Sequence, residues 1–237
     1  MPIAVLSDIH SNVFALEAVL ERLEKDEITD VIILGDIFGY YPWAAETYHL
    51  LKDQNIIAFI KGNHDVLVEN ELDLKKDSPL YYPLAQLNRS QLLREGPDAF
   101  EWLRNMGCAS DFEHRGREIR LCHGTPDDPV EGSLYPDNTE VYNWFPSNGQ
   151  ILLLGHTHYP LKKECEGGVI FNPGSVGQPR DGNVESAYGI LDLEKNTFEH
   201  HRVKYDVDSV TRILQNMKWN QYAIKALSKN YKGRLKL

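Results

Sequence analysis

Four short apolar runs constrain this chain more than anything else in it: Ile3 to Leu6, Val31 to Leu34, Ile56 to Ile60 and Ile151 to Leu154. Each is continuous and only a few residues long, which reads as a strand buried in a core. Helical stretches lie between the first three, near Val13 to Lys25 and Trp43 to Lys52. Strand–helix–strand units make those strands parallel and bring their ends to one edge. Every run then stops in polar residues: Ser7-Asp8-Ile9-His10, Gly35-Asp36, Gly62-Asn63-His64-Asp65 and Gly155-His156-Thr157-His158. A fifth strand, Glu118 to Cys122, stops at His123-Gly124. Strand ends of this kind are where α/β folds place their chemistry.

A polar turn explains any one of these ends, since Asn and Asp favour turns. Ser11 or Asn12 serves as the cap of the first helix. That leaves Asp8 and His10 without a role. Positions 8 and 10 are two apart, as are 156 and 158, so extended backbone points each pair to one side. Paired histidines at a strand exit have little packing rationale. The two imidazoles either reach one ion or divide between two.

The rest of the chain continues the α/β reading. Residues 66 to about 78 are polar and irregular, and helices are expected near Leu84 to Leu93 and Pro97 to Asn105. This segment, 66 to 106, is a candidate cap beside the strand ends. Cys108 to Phe112 and Glu118 to Cys122 form an expected hairpin turning at Arg115-Gly116. Short strands follow near 161–165, 169–172, 187–193 and 197–203, then one or two helices over 206–226 and a basic, frayed tail over 225–237. Tyr40, Tyr41 and Trp43 are either packing residues or the lining of a substrate mouth. Arg180 either meets a substrate phosphate or pairs with its neighbour Asp181, and the pairing is the expectation.

Composition narrows the class. The 237 residues, 42% hydrophobic and 25% charged, suit one globular domain over 1–237, and no linker or repeat divides them. No apolar run approaches the ~20 residues of a membrane span, and the N-terminus lacks a signal-peptide pattern. Cys108, Cys122 and Cys165 are odd in number and widely spaced, which fits a cytoplasmic protein better than a disulfide framework. A net charge of −10 opposes a broad nucleic-acid surface, but it permits a small phosphate-bearing substrate if bound cations reverse the local potential.

Collected, the strand ends offer Asp8, His10, Asp36, Asn63, His123, His156 and His158. That is more than one four-coordinate ion takes, and two divalent ions sharing a carboxylate would use them all. Mixed imidazole, carboxylate and amide donors suit Mn, Fe, Zn, Co or Ni, with Mn the first expectation. Ions about 3.5–4 Å apart can hold a hydroxide and clamp the attacking and leaving oxygens of a phosphoryl group. His64 is then free to give a proton to the leaving oxygen, with Asp65 orienting its ring.

In these motifs and their order the sequence resembles the calcineurin-like metallophosphoesterases. Asn172 to Asp181 is similar to bacterial and archaeal members of the YfcE and diadenosine tetraphosphatase-like type. The resemblance implies a four-layer α/β/β/α sandwich of two mixed sheets. It implies one ion held by Asp8, His10, Asp36 and His158, and a second by Asp36, Asn63, His123 and His156, with Asp36 bridging. It further implies hydrolysis of phosphomonoesters, phosphodiesters or dinucleoside polyphosphates. The competing classes are a non-catalytic scaffold on this fold, opposed by the complete ligand set, and a nuclease, opposed by the acidic charge.

Overall fold

The computed structural model describes residues 1–70, 81–138, 144–145 and 149–227. The first parallel trio forms as the apolar runs require: β1 (Ile3–Leu6), β2 (Asp30–Ile33) and β3 (Asn55–Phe59). Helix α1 (Val13–Lys25) and helix α2 (Ala44–Lys52) make the crossovers. The chain then runs through α3 (Asn63–Glu69), α4 (Tyr82–Glu95) and α5 (Pro97–Arg104), and enters the hairpin β4 (Ala109–His114) and β5 (Arg117–Cys122). Next come β6 (Gln150–Leu153), β7 (Pro160–Cys165), β8 (Gly168–Pro173), β9 (Ser186–Asp192) and β10 (Thr197–Val203). Helices α6 (Val207–Asn216) and α7 (Gln221–Ala226) close the described chain.

Two mixed five-stranded sheets result, in the orders β10-β9-β1-β2-β3 and β4-β5-β6-β8-β7. They stack on an apolar interlayer, and strand alternation decides which residues enter it. Ile3 and Val5 of β1 and Ile32 of β2 face Ile119 and Leu121 of β5 and Ile151 and Leu153 of β6. The alternate residues Ala4, Leu6, Val31 and Ile33 pack under α1 and α2. On the second sheet the alternates Cys122, Leu152 and Ile170 lie beneath Leu134 and Trp144 of the long β5–β6 connection. Cys122 is therefore a core residue whose thiol is pushed up by burial, which suits no nucleophile.

The parallel strands β1, β2 and β3 of one sheet and β5, β6 and β8 of the other all run toward one edge. Their carboxyl ends carry every candidate ligand. The 66–78 stretch departs from the irregular expectation where it is described, because α3 extends to Glu69. Residues 71–80 of the expected cap and residues 228–237 of the expected tail lie outside the described residues. No described helix is long and apolar enough to cross a membrane. Leu153 sits fully buried in the interlayer. Leu153→Ala should lower the unfolding free energy by about 2–5 kcal/mol, read from chemical denaturation of the folded variant.

Candidate metal centre

Backbone conformation is the first thing that shapes this edge. Asp8, His10, Asp36, His156 and His158 have φ of 53°, 53°, 50°, 65° and 61°. Non-glycine residues rarely adopt this left-handed region, although Asp and His tolerate it better than most. The i, i+2 pairs thus converge by left-handed turns instead of the extended alternation expected from sequence. Hydrogen bonds between strand ends hold these turns. Asp8 N donates to Gly35 O at 3.0 Å and His10 N to Asp36 O at 2.8 Å. Gly177 N and Ser175 Oγ donate to Asp8 O at 3.0 and 2.8 Å.

The donors then meet. His158 Nε2 lies 3.2 Å from both Asp8 Oδ1 and His10 Nε2. Asp36 Oδ2 is 3.6 Å from His10 Nε2 and 3.4 Å from His123 Nε2. His156 Nδ1 is 3.3 Å from the Asn63 amide oxygen, and its ring centroid is 5.2 Å from that of His123. All seven candidate ligands from the sequence therefore come together, with Asp36 between the Asp8–His10–His158 group and the His123 side. The far ring nitrogens are anchored. His123 Nδ1–H donates to Leu34 O at 2.7 Å, and His158 Nδ1–H donates to Gln178 O at 2.6 Å. Such anchors fix which nitrogen faces a metal.

A cation suits this cluster. Asp8 Oδ1, His10 Nδ1 and His123 Nε2 are buried with no hydrogen-bond partner, and a polar atom so placed is costly. Burial drives His10 and His158 well below the usual imidazole range and holds His156 near 4, so these rings are neutral and carry lone pairs. Burial raises Asp8 to about 7, reinforced by the charge of Asp36. Asp36 goes the other way: burial opposes its ionised form, but the charges of His123 and His64 prevail and keep it well below the carboxylate range. Burial likewise opposes the His123 cation, and Asp36 overrides it, lifting His123 to about 10. A cation held between Asp36 and His123 would take the place of that attraction.

Two glycines are required for reasons of space. A Cβ on Gly62 would stand 2.1 Å from Asp36 Oδ1. Gly62 itself is extended, with φ −97° and ψ −179°. Its value is thus close approach. Gly39 has φ +139°, and a Cβ there would lie 3.0 Å from the His64 ring and 3.1 Å from the His10 ring.

Asp65 does not do what the sequence suggested. Its carboxylate accepts from the backbone amides of Gly62, Phe38 and Ile37 at 3.0, 3.0 and 3.2 Å, clasping the ends of two strands. As the third residue of α3 it also caps that helix. The His64 ring is positioned by Tyr40, His10 and Tyr81, with centroids 4.6, 4.9 and 5.0 Å away. His64 N donates to Asp36 Oδ1 at 2.8 Å.

A cavity of about 180 Å³ opens onto the cluster, lined by Asp36, Asn63, His64, His156 and His158 on one side and by Tyr40, Tyr81, Glu131, Tyr135 and Arg180 on the other. Tyr40 is the one of the three early aromatics to reach it. Tyr41 is buried under the C-terminal helices, its hydroxyl donating to Ala223 O, and Trp43 packs on Tyr41 and Phe14. Asp181 pairs with Arg202, so the expected Arg180–Asp181 pair is not formed. Sequence reasoning also passed over Asn88 of α4. Its amide accepts from Ser11 Oγ at 2.6 Å and Gly39 N at 3.1 Å, and donates to the carbonyls of Gly39 and Tyr41. A buried Asn inside a helix was the available signal, because Asn gains little there by itself.

A family model described as the calcineurin-like phosphoesterase superfamily domain matches residues 1–196. The chain belongs to that superfamily. An uncharacterised protein of Methanocaldococcus jannaschii is 32% identical over 224 residues, covering 86% of this chain and 88% of the relative. Phosphodiesterase YfcE of Escherichia coli K12 is 27% identical over 202 residues, covering 81% of this chain and 88% of YfcE. The crystal structure of a metallophosphoesterase from Sphaerobacter thermophilus superposes with a TM-score of 0.78 at 26% identity, covering 97% of this chain and 99% of that one. Phosphoesterase membership agrees with the expectation from the motifs. The Gly62 contact yields a direct check: Gly62→Ala should displace Asp36 and sharply reduce divalent metal per chain, measured by elemental analysis of the folded variant.

Proposed function

We propose that this chain is a metal-dependent phosphoesterase acting on small, nucleotide-sized phosphate esters or anhydrides. The observation that carries the reading is the dry cluster of Asp8, His10, Asp36, His123 and His158, with donor atoms left unpaired beside a cavity. Asp8, His10, Asp36 and His158 would hold one divalent ion, and Asp36, Asn63, His123 and His156 a second. When bound, such ions supply positive charge to the phosphoryl oxygens and acidify the attacking water.

The remaining steps fall to the chain's own residues. Asp36 serves both groups of donors and keeps them in register. Gln178 and Leu34, through their carbonyls, hold His158 and His123 in the tautomer that turns Nε2 inward. His64 projects into the cavity beside them and meets the leaving oxygen. Burial brings its pKa to about 4, but the charge of a phosphoryl group alongside would raise it and restore its capacity to give a proton. Tyr40 and Tyr81 keep that imidazole in place and exclude water from its flank.

The substrate class rests on charge and space. With 35 acidic against 25 basic residues, the surface repels a long polyanion. A cavity of about 180 Å³ suits a phosphoryl group with the adjoining part of a small substrate. A protein that met polynucleotides through its backbone phosphates would need a basic face and show steep salt dependence.

Chelation should abolish hydrolysis of an artificial phosphodiester, and Mn²⁺ or a similar ion should restore it. Full activity after verified metal loss would overturn the reading. Asp36→Asn should be among the most damaging single changes to metal content. His64→Ala should retain the metals yet lower turnover by about 10²–10⁴-fold. That loss should shrink for a nitrophenolate leaving group, and an equal loss on good and poor leaving groups would assign His64 to orienting the phosphate. A diadenosine polyphosphate and simple nucleotides should outcompete single- and double-stranded oligonucleotides at low and moderate salt. Faster oligonucleotide cleavage that collapses with added salt would reverse the substrate assignment.

A further inference from the structure

Arg180 is an unusual cation. It is only 8% exposed, yet its bonded partners are neutral. Its Nε and Nη2 donate to Gln178 Oε1 at 3.2 and 2.8 Å, and Nη2 donates to the Tyr40 hydroxyl at 3.3 Å. Among the described residues, Nη1 and both of its N–H bonds have no hydrogen-bond partner, and no carboxylate pairs with the guanidinium. The nearest in sequence, Asp181, is engaged by Arg202. A guanidinium edge left unpaired on the wall of a cavity suits the oxygens of a phosphate.

We propose that Arg180 is the phosphate-recognition residue of this cavity, its Nη1 edge donating to non-bridging oxygens of the substrate phosphoryl group. The inference rests on the phosphoesterase reading above and adds to it a residue outside the metal-ligand set. Three features support it. First, Arg180 lines the same cavity as Asn63, His64, His156 and His158. Second, its aim is fixed from behind. The side chain of Gln178 holds Nε and Nη2, and the guanidinium carbon lies 5.9 Å from the Tyr40 ring centroid. Tyr40 is locked in turn, its hydroxyl donating to Tyr81 at 3.3 Å, and burial keeps it un-ionised by pushing it well above the usual phenol range. Third, Gln178 ties this cation to the ligand cluster, because its backbone carbonyl anchors His158. Gln178 is thus a positioning residue for both.

The test is binding of inorganic phosphate to the metal-loaded protein by calorimetry, which needs no turnover. Arg180→Gln should lose about 10–100-fold in phosphate affinity, as expected for charge-assisted hydrogen bonds, with metal content and melting temperature unchanged. Arg180→Lys keeps the charge but not the planar fork, and should lose about tenfold or less. It also serves as the deciding variant if Arg180→Gln does not fold. Phosphate affinity within twofold of wild type in either folded variant overturns the assignment, as does a loss accompanied by loss of metal. The two proposals fail separately. A protein that hydrolyses none of the esters but needs Arg180 for phosphate keeps this inference. One that hydrolyses them and binds phosphate equally well without Arg180 loses it.

Discussion

Two carboxylates and their imidazoles sit in dry protein at the meeting of two sheets, and this desolvation governs the rest of the molecule. Asp8 and Asp36 are essentially inaccessible to water. Placing like charges together in such a medium is unfavourable, and the opposite pKa shifts of Asp8 and Asp36 express that conflict. Burial and the charge of Asp36 push Asp8 up, while the charges of His123 and His64 hold Asp36 down. Folding alone does not relieve this tension. A cation would, and the unpaired Asp8 Oδ1 and His123 Nε2 lie in the cluster that would meet it.

Holding side chains in an unfavourable electrostatic arrangement requires a backbone that cannot yield. The left-handed residues at the strand ends are each strained by about 1–3 kcal/mol, and they persist because neighbouring strand ends bond to them. Gly35, Asp36 and Ile37 accept from the amides of Asp8, His10 and Ser11, and the 175–177 loop bonds to Ser7 and Asp8 from the other side. Asn88 and Asp65 brace the 37–41 turn with buried side-chain hydrogen bonds. These bonds make the positions of the candidate donors geometrically definite.

Much of this was legible in the sequence. The strands from Ile3, Asp30 and Gln150 are found within a residue or so of their expected limits, because continuous apolar runs leave a buried strand few alternatives. The convergence of the candidate ligands was legible because carboxylates and imidazoles at strand ends have few structural uses. What escaped was relational. Asp65 reads as a partner for the adjacent His64, but its bonds go to amides 28 and 27 residues earlier in the chain, at Ile37 and Phe38. Arg180 and Asp181 are adjacent and opposite in charge, yet the backbone sends them to different partners, Gln178 and Arg202. Tyr41 reads like Tyr40 until α7 is seen to cover it. For Asp65, Asp181 and Tyr41 the deciding neighbour is distant in sequence, where local pattern has no reach.

The first sheet contributes Asp8, His10, Asp36 and Asn63 to the cluster, while the second contributes His123, His156 and His158. The distance between the two groups of donors is thus a dimension of the sandwich as a whole. It is set by how Ile3, Val5 and Ile32 seat against Leu121, Ile151 and Leu153. Interiors this tightly packed transmit a shape change instead of absorbing it. Aliphatic residues with no polar atom therefore act as the shims of an assembled instrument. A change in their thickness detunes the fit between donors many residues away, even in a protein that stays fully folded.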